Sequence, residues 1–230
     1  NRLMLNAIVV NKKTINTAID DHIRTTAWVD LIRKKGFSLF NCFTNNIADR
    51  NNNEFSQRLI RMTLAHQHFP DDYPVMSETW LLVNIETWLS PFLSEVKNLD
   101  QLKRVDLIEP LKNCFDWNLQ TALESLLPKR VLVPSGSNVS ISYQLNGPAR
   151  LSVRMQEVYG LSSTPQLCKG KVPLLIDLLS PARRSLQLTQ DLDGFWKGSY
   201  LAIKKEMKGR YPRHFWPDNP QAAKATSKTK

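Results

Sequence analysis

The sequence predicts an α+β fold, in which a helical subdomain precedes a small β-rich subdomain that ends in a C-terminal helix. Apolar residues recur at helical spacing in the first part of the chain, and from residue 128 onward they alternate with period two. Helices that precede strands, rather than alternating with them, are typical of α+β proteins. We place the helical subdomain at 15–127 and the β-rich subdomain at 128–217.

The N-terminal segment, residues 1–14, contains the apolar stretch RLMLNAIVV at 2–10, which predicts one strand. No hairpin partner is evident nearby, so we expect it to be the last strand of a preceding domain. The chain begins with Asn1 rather than Met, and we expect a fragment or a processed product. The first residues do not resemble a signal peptide, and no apolar run approaches the ~20 residues that span a bilayer. We therefore expect no membrane partner.

The first predicted helix covers residues 17–35, where four apolar residues recur every fourth position: Ile19, Ile23, Ala27 and Leu31. Gly36, which follows three basic residues, predicts the end of this helix. A second helix is expected near Glu54–His68. Ser77 predicts the N-cap of a third, which carries Trp80 and Trp88. Two further helical stretches are predicted before residue 127.

The β-rich subdomain contains period-two patterns near residues 131–133, 139–143 and 151–155. The apolar run Val172–Leu179 is long enough for a buried strand, and Leu186 and Leu188 indicate another. One closing helix is predicted from Asp191 to Lys208. The tail at 218–230 is small, polar and basic, and we expect it to be disordered.

Catalytic motifs are missing from the sequence. Gly170-Lys171 lacks the glycine and hydroxyl residue of a GxxxxGK[ST] phosphate loop. No cysteine or third histidine lies close in sequence to His66 and His68, and Asp191 is expected to cap a helix. The three cysteines are widely spaced and form no CxxC pair, so we expect reduced thiols in a cytoplasmic protein. We expect no cofactor, metal or catalytic residue in this chain.

Basic residues are concentrated in the second part of the chain. The whole chain has 31 Lys and Arg against 21 Asp and Glu, a net charge of +10. Residues 1–130 hold 16 basic and 15 acidic residues, whereas residues 131–230 hold 15 and 6. Such an asymmetry favours a polyanionic partner, most often a nucleic acid, although a basic surface can also serve only solubility.

The predicted last helix separates an apolar face from a lysine face. At ~100° per residue, Trp196 and Tyr200 share the apolar face, and we expect Trp196 to lie in the core. The candidate RNA-contact residues are Lys197, Lys204, Lys208, Arg210, Arg213, Arg183 and Arg184. Basic residues are interleaved with Tyr211, Phe215 and Trp216, which either stack on bases or anchor the tail. The flanking prolines favour the anchor.

The stretch LLSPARRSLQLTQDLDGFWKGSYLAIKKEMKGRYPRHFWPDNP at Leu178–Pro220 resembles the C-terminal region of the HrpB family of bacterial DExH-box ATP-dependent RNA helicases. VRMQEVYGL at Val153–Leu161 and GKVPLLIDLLSPA at Gly170–Ala182 agree with it. The resemblance implies that an OB-like domain precedes residue 15, and that RecA-like domains upstream bind ATP and Mg²⁺. It also implies RNA and the upstream helicase domains as partners.

The resemblance leaves two roles open for this region. The first is a basic surface that contacts the RNA backbone without reading its sequence. The second is a module that docks a protein partner or braces the helicase core, without touching RNA. Binding to phosphates falls steeply with salt, and docking on an apolar surface does not, so the two roles are experimentally distinct.

Overall fold

The computed structural model describes residues 2–5, 8–12, 20–44 and 53–228, and it confirms the α+β prediction. The helices in the first part of the chain, in order from α1 to α8, are Asp21–Lys35, Asn41–Thr44, Glu54–His68, Glu78–Val83, Ile85–Trp88, Leu99–Lys103, Ile108–Lys112 and Trp117–Leu126. The strands, from β1 to β7, are Arg2–Leu5, Ile8–Lys12, Arg130–Leu132, Asn138–Ser142, Ala149–Arg154, Leu174–Leu179 and Ser185–Thr189. Two helices follow the sheet, α9 at Leu192–Lys197 and α10 at Tyr200–Arg210.

The N-terminal segment differs from the single strand that the sequence predicts. β1 and β2 pair with each other antiparallel, with Leu5 opposite Ile8, so this stretch holds two strands rather than one. Both strands are rich in apolar residues, so composition does not show where the first ends and the second begins. The pairing of β1 with β2 therefore supplies the partner that the prediction lacked.

Helix α1 ends at Gly36 as predicted, but it buries a different face. Gly36 has a φ of 69°, and its N–H donates to the Ile32 carbonyl at 2.7 Å. Val29 and Ile32 are buried, whereas Ile23 is 63% exposed. Spacing alone does not predict which of two neighbouring apolar stripes of α1 is buried. In the structure, the Trp28 Nε1–H donates to the Val96 carbonyl at 2.9 Å, which turns the Trp28 side of the helix towards the protein.

Five strands form a mixed sheet in the order β3-β4-β5-β6-β7. The pairs are antiparallel except β5 and β6, which run parallel with Leu151 opposite Ile176. On β5, Leu151 and Val153 point into the core while Arg150 and Ser152 face away from it. The predicted period-two pattern of β5 thus corresponds to one buried face.

One polar residue interrupts the apolar strand β6. Asp177 is only 3% exposed, and it accepts hydrogen bonds from Arg150 at 2.6 Å, Ser152 at 3.1 Å and Ser185 at 2.6 Å. Burial by itself would raise the pKa of Asp177, but these hydrogen bonds outweigh it and hold the pKa below its ordinary value. The ionised carboxylate therefore ties together three strands on the outer face of the sheet.

The helical and β-rich subdomains share one hydrophobic core, which runs from α1 to α10. Gln57 of α3 makes the junction: its side chain accepts from the Tyr143 N–H at 2.8 Å and donates to the Tyr143 carbonyl at 3.1 Å. An amide side chain thus takes the place of a neighbouring strand at the end of β4. The Tyr143 hydroxyl donates to the Pro128 carbonyl at 2.8 Å and holds the chain where it passes between the subdomains.

The single closing helix predicted at 191–208 is two helices in the structure. Asp191 caps α9 by accepting from the Gly194 N–H at 2.9 Å, as expected of a carboxylate at a helix start. A Cβ at Gly194 would lie 2.2 Å from that carboxylate, so the cap needs glycine at this position. The helix breaks at Gly198, whose ψ of −99° is not helical. Lys197 therefore belongs to α9, and Lys204 and Lys208 belong to α10.

The described part of the tail, residues 218–228, hydrogen-bonds to the β-rich subdomain, in a segment for which composition predicts disorder. The Pro220 carbonyl accepts from the Gly160 N–H at 2.9 Å, and the Thr226 N–H donates to the Gln156 carbonyl at 3.0 Å. Arg154 also donates to the Ser227 carbonyl at 2.9 Å. A polar tail folds here because its backbone hydrogen-bonds to the segment that follows β5, which composition does not reveal.

Candidate nucleic-acid interface

An aromatic cluster positions α9 and α10 against the sheet. Trp196 is 4% exposed, as predicted, and its Nε1–H donates to the Leu161 carbonyl at 2.8 Å. Its ring lies 5.4 Å from that of Tyr200 in an edge-to-face arrangement. The Tyr200 hydroxyl donates to the Pro217 carbonyl at 2.7 Å, so the same cluster also holds the start of the tail.

Three of the seven predicted RNA-contact residues are ion-paired within the chain. Lys197 lies 2.5 Å from Asp193, and Lys204 lies 2.5 Å from Asp218. Arg210 lies 3.5 Å from Glu206. The hydrogen bond from Lys197 lowers the pKa of the Asp193 carboxyl, and the bond from Lys204 does the same for Asp218.

The lysine face consequently exposes less unpaired positive charge than the sequence predicts for a single helix. The side chain of Lys204 is only 13% exposed, and its ammonium group is paired with Asp218. Lys197 lies on the other side of the break at Gly198. Only Lys208 of this trio is exposed without a carboxylate within 4 Å among the described residues.

The other three predicted residues are exposed arginines. Arg183 and Arg184 occupy the turn between β6 and β7, where Arg183 has a φ of 59°. The Ser180 hydroxyl accepts from the Arg184 N–H at 3.0 Å and fixes the turn. Arg213 follows the end of α10. Within the described part of the chain, none of these three side chains has a carboxylate within 4 Å, so their charges are not offset by a close partner.

The two arginine groups flank the same short segment, residues 154–156. Arg154 is the strand partner of Leu179, directly before the turn that carries Arg183 and Arg184. Gln156 Oε1 lies 2.9 Å from Nδ1 of His214, the neighbour of Arg213. Gln156 also donates to the Lys228 carbonyl at 3.2 Å. We call Arg183, Arg184, Arg213 and Lys228 the basic edge.

The aromatic residues after α10 act as anchors. The Trp216 Nε1–H donates to the Tyr211 carbonyl at 3.0 Å, and the Phe215 ring meets the Tyr159 ring edge-to-face at 6.2 Å. Phe215 and Trp216 both pack against the core. Of the two alternatives left open by the sequence, the structure favours anchoring over base stacking.

One cluster was missed by sequence reasoning because its members are far apart in the chain. The ammonium groups of Lys169 and Lys171 lie 5.0 and 4.2 Å from the centroid of the Phe69 ring. Lys171 also donates to the His68 carbonyl at 2.9 Å, which joins the two subdomains. The only sequence signal is the pair of lysines around Gly170, a motif rejected as a phosphate loop.

Comparison with known proteins identifies the family of this chain. A family model described as "ATP-dependent helicase C-terminal", HrpB_C, matches residues 88–220. The ATP-dependent RNA helicase HrpB of Escherichia coli (strain K12) is 39% identical to this chain over all 230 residues. The chain belongs to the HrpB family of ATP-dependent helicases, in its C-terminal region.

Solved structures of the HrpB family have the same fold. The crystal structure of the E. coli DExH-box NTPase HrpB matches 99% of this chain with a TM-score of 0.82 and 38% identity. A second crystal structure, of the E. coli DEAH/RHA helicase HrpB, matches 94% with a TM-score of 0.71 and 37% identity. The chain spans only 26–27% of the length of these relatives.

The residues of this region do not fit a site for ATP and Mg²⁺. The sequence has no phosphate loop, and no group of three or more His, Cys, Asp or Glu side chains in the described residues could hold a metal ion. His66 Nδ1 lies 2.8 Å from the Tyr73 carbonyl, which is a structural contact. None of the helices described is both long and apolar enough to cross a membrane.

Proposed function

We propose that this chain is an accessory region of an RNA helicase and contacts the RNA backbone through the basic edge, without reading sequence. The observation that carries the proposal is the set of exposed arginines without a close carboxylate, in a half of the chain with a net charge of +9. Arginine and lysine contacts to phosphates position a nucleic acid but do not distinguish its bases. Lys208 adds to this surface, whereas Lys197, Lys204 and Arg210 contribute less because each already has an acidic partner.

Hydrolysis of ATP belongs, in this proposal, to parts of the helicase outside this chain. ATP and Mg²⁺ are bound there, and the described region supplies neither a phosphate loop nor a metal cluster. The upstream domains of the same polypeptide are the second partner, and the protein works in the cytoplasm. The relative named ATP-dependent RNA helicase supports RNA as the nucleic acid.

A triple variant of the full-length protein tests the proposed RNA contact: Arg183→Asn, Arg184→Gln and Arg213→Gln. Asparagine is chosen for Arg183 because it tolerates the left-handed backbone. The matched control removes three exposed charges from the helical subdomain: Lys34→Gln, Lys35→Gln and Lys97→Gln. Binding of a single-stranded RNA is measured from low to high salt.

The triple variant should bind all RNA sequences more weakly, and its plot of log affinity against log salt should be flatter by up to ~2, since each phosphate contributes ~0.7. The control should change the slope by less than half of that. If the two triple variants bind equally, the basic edge does not contact RNA.

The alternative role, a docking or bracing module, is favoured by exposed apolar side chains on the helical subdomain. Ile23, Val83 and Trp117 are 63%, 64% and 77% exposed. Large apolar residues on a surface often mark a contact with another protein or domain. Replacing Trp117 with Ser should weaken attachment to the upstream domains in this alternative, and it should leave the salt dependence of RNA binding unchanged.

A further inference from the structure

A groove opens between the two subdomains, and none of its lining residues belongs to the basic edge. It is a cavity of about 570 Å³ between α8 and the loop at residues 166–169. Its walls are mainly apolar, formed by Phe69, Leu119, Ala122, Leu126 and Cys168. Ligand sites in proteins are commonly concave, mostly apolar and of ~300–1,000 Å³. The size and lining of the groove are those of a site for one small flat group.

Two amide side chains supply polar groups at this groove. Asn118 lies on α8 and Gln166 on the facing loop, and both line the cavity. Neither side chain is hydrogen-bonded to any other residue in the described part of the chain. Amides carry both donors and acceptors, so a pair of them facing an apolar slot can bind the edge of a heterocyclic base.

Positive charge is concentrated beside the same groove. The Lys169 and Lys171 ammonium groups both lie over the Phe69 ring, whose electrons hold them there. Two ammonium groups on one ring repel each other, and neither has a carboxylate within 4 Å among the described residues. Asp72 also lines the groove, but it forms no ion pair with them. The pair of lysines thus lacks an anion that would offset its repulsion.

The loop that carries Lys169 is held in a strained conformation. Cys168, Lys169 and Gly170 have successive φ values of 53°, 54° and 83°, in the left-handed region that non-glycine residues avoid. The Gly170 N–H donates to the Leu167 carbonyl at 2.8 Å, and the Lys171 N–H donates to the Cys168 carbonyl at 3.0 Å. Strain of this kind is concentrated at ligand-binding loops, because the surroundings must maintain it.

We propose that this groove binds one nucleotide of single-stranded RNA. The base lies between α8 and the Cys168 loop, its edge faces Asn118 and Gln166, and its phosphate lies on Lys169 and Lys171. The groove would add a contact to the base that the basic edge does not provide. This inference takes RNA as the ligand from the proposed function, but it does not depend on the basic edge.

The first test fills the groove. Ala122 is exposed on α8, so Ala122→Trp occupies the cavity without disturbing the core, and Thr121→Trp places the same ring on α8 outside the lining. The full-length protein is titrated with a 12-residue oligouridylate and with the same oligomer lacking its bases. The unaltered protein should bind the intact oligomer about tenfold more tightly than the abasic one, from the base contact.

The Ala122→Trp variant should bind both oligomers within about twofold of each other, and Thr121→Trp should keep the tenfold preference. The abasic oligomer serves as an internal control, because a variant that unfolds would lose affinity for both. If Ala122→Trp retains the full preference, the groove proposal is overturned.

The second test removes the charge without occupying the groove. The double variant Lys169→Asn, Lys171→Gln places a residue that tolerates the left-handed backbone at position 169. It should flatten the salt slope by ~0.7, the value of the one phosphate contact that it removes. A 4-thiouridine in the oligomer should also crosslink to the peptides of Phe69–Tyr73 or Gln166–Lys169 in the unaltered protein and not in Ala122→Trp.

The outcomes separate this inference from the proposed function. If the basic-edge variant loses its salt slope and the groove variants bind like the unaltered protein, the groove proposal fails and the proposed function stands. If only the groove variants lose affinity, the basic edge is refuted and the groove remains the RNA contact. If no crosslink forms and neither groove variant alters binding, the groove does not contact RNA and this proposal is wrong.

Discussion

The ammonium group of Lys204 lies 2.5 Å from the carboxylate of Asp218, which ties the last helix to the tail. Lys204 is 13% exposed in this arrangement, whereas Asp218 is fully exposed. The charge of the lysine is therefore directed at an acid of the same chain. Lys204, which the sequence predicts to be a phosphate ligand, already has a partner in the structure.

Removing the acid should release this lysine. In Asp218→Asn the Lys204 charge has no close partner, and we expect the full-length protein to bind single-stranded RNA about two- to fivefold more tightly at low salt. The salt slope should steepen by up to ~0.7, the value of one phosphate contact. Stability should change little, because exposed ion pairs contribute little to it.

The control for this change is Asp30→Asn on α1, an exposed carboxylate without an ion pair in the described residues. It alters the net charge equally but lies in the helical subdomain. An equal gain of affinity in both variants would mean that overall charge, and not Lys204, governs binding.

Trp196 should be among the residues most important for stability. Trp196→Ala removes a buried indole and its hydrogen bond to Leu161, and should lower the free energy of unfolding by ~3–5 kcal/mol. Trp117→Ala is a matched control, because that indole is 77% exposed, and it should cost less than ~1 kcal/mol. Denaturant titration of both variants measures the difference, and similar losses would contradict the assignment of Trp196 to the core.

Gln57 should couple the two subdomains. Gln57→Ala leaves the buried N–H and carbonyl of Tyr143 without their side-chain partners, at a cost of ~1–3 kcal/mol. Gln67→Ala, at an exposed position on the same helix, should be nearly neutral. Hydrogen exchange at the Tyr143 amide should accelerate in Gln57→Ala alone; an unchanged rate would show that the junction does not protect this amide.

Asp177 should make the free energy of unfolding depend on pH in the acidic range. Its pKa in the folded protein is below the ordinary value of about 3.9, so the ionised form favours the folded state. The stabilisation from the ionised carboxylate is fully present at pH values above the ordinary pKa, and it is lost as the pH falls through the lowered pKa. Asp177→Asn should destabilise the protein at pH 7 by ~1–3 kcal/mol and weaken the dependence of stability on pH below about 4.

Thermal or denaturant unfolding at several pH values between about 2.5 and about 7 would measure how the stability of each variant depends on pH. This range includes the pH values at which carboxyl groups titrate. Asp30→Asn serves again as the control, because its carboxylate accepts no side-chain hydrogen bond in the described residues. The assignment fails if the two variants have the same pH dependence.

The sequence determined the features that depend on local pattern. Period-two alternation located the strands of the β-rich subdomain, and the cations before Gly36 marked the end of α1. Helical spacing at ~100° per residue placed Trp196 in the core, because Trp196 shares the apolar face of the predicted last helix with Tyr200. Each of these depends on residues within a few positions of one another, where backbone geometry relates spacing directly to structure.

Only the tertiary structure decided which of the charged and polar groups are free. Lys204 meets an acid 14 positions away, and Lys171 meets the carbonyl of His68, 103 positions away. The position of the tail likewise depends on hydrogen bonds to distant segments, such as that between the Thr226 N–H and the Gln156 carbonyl. A sequence states which charges a chain carries. The availability of those charges to a ligand depends on which groups the folded chain brings within a few ångströms, because ion pairs and hydrogen bonds act only at such distances.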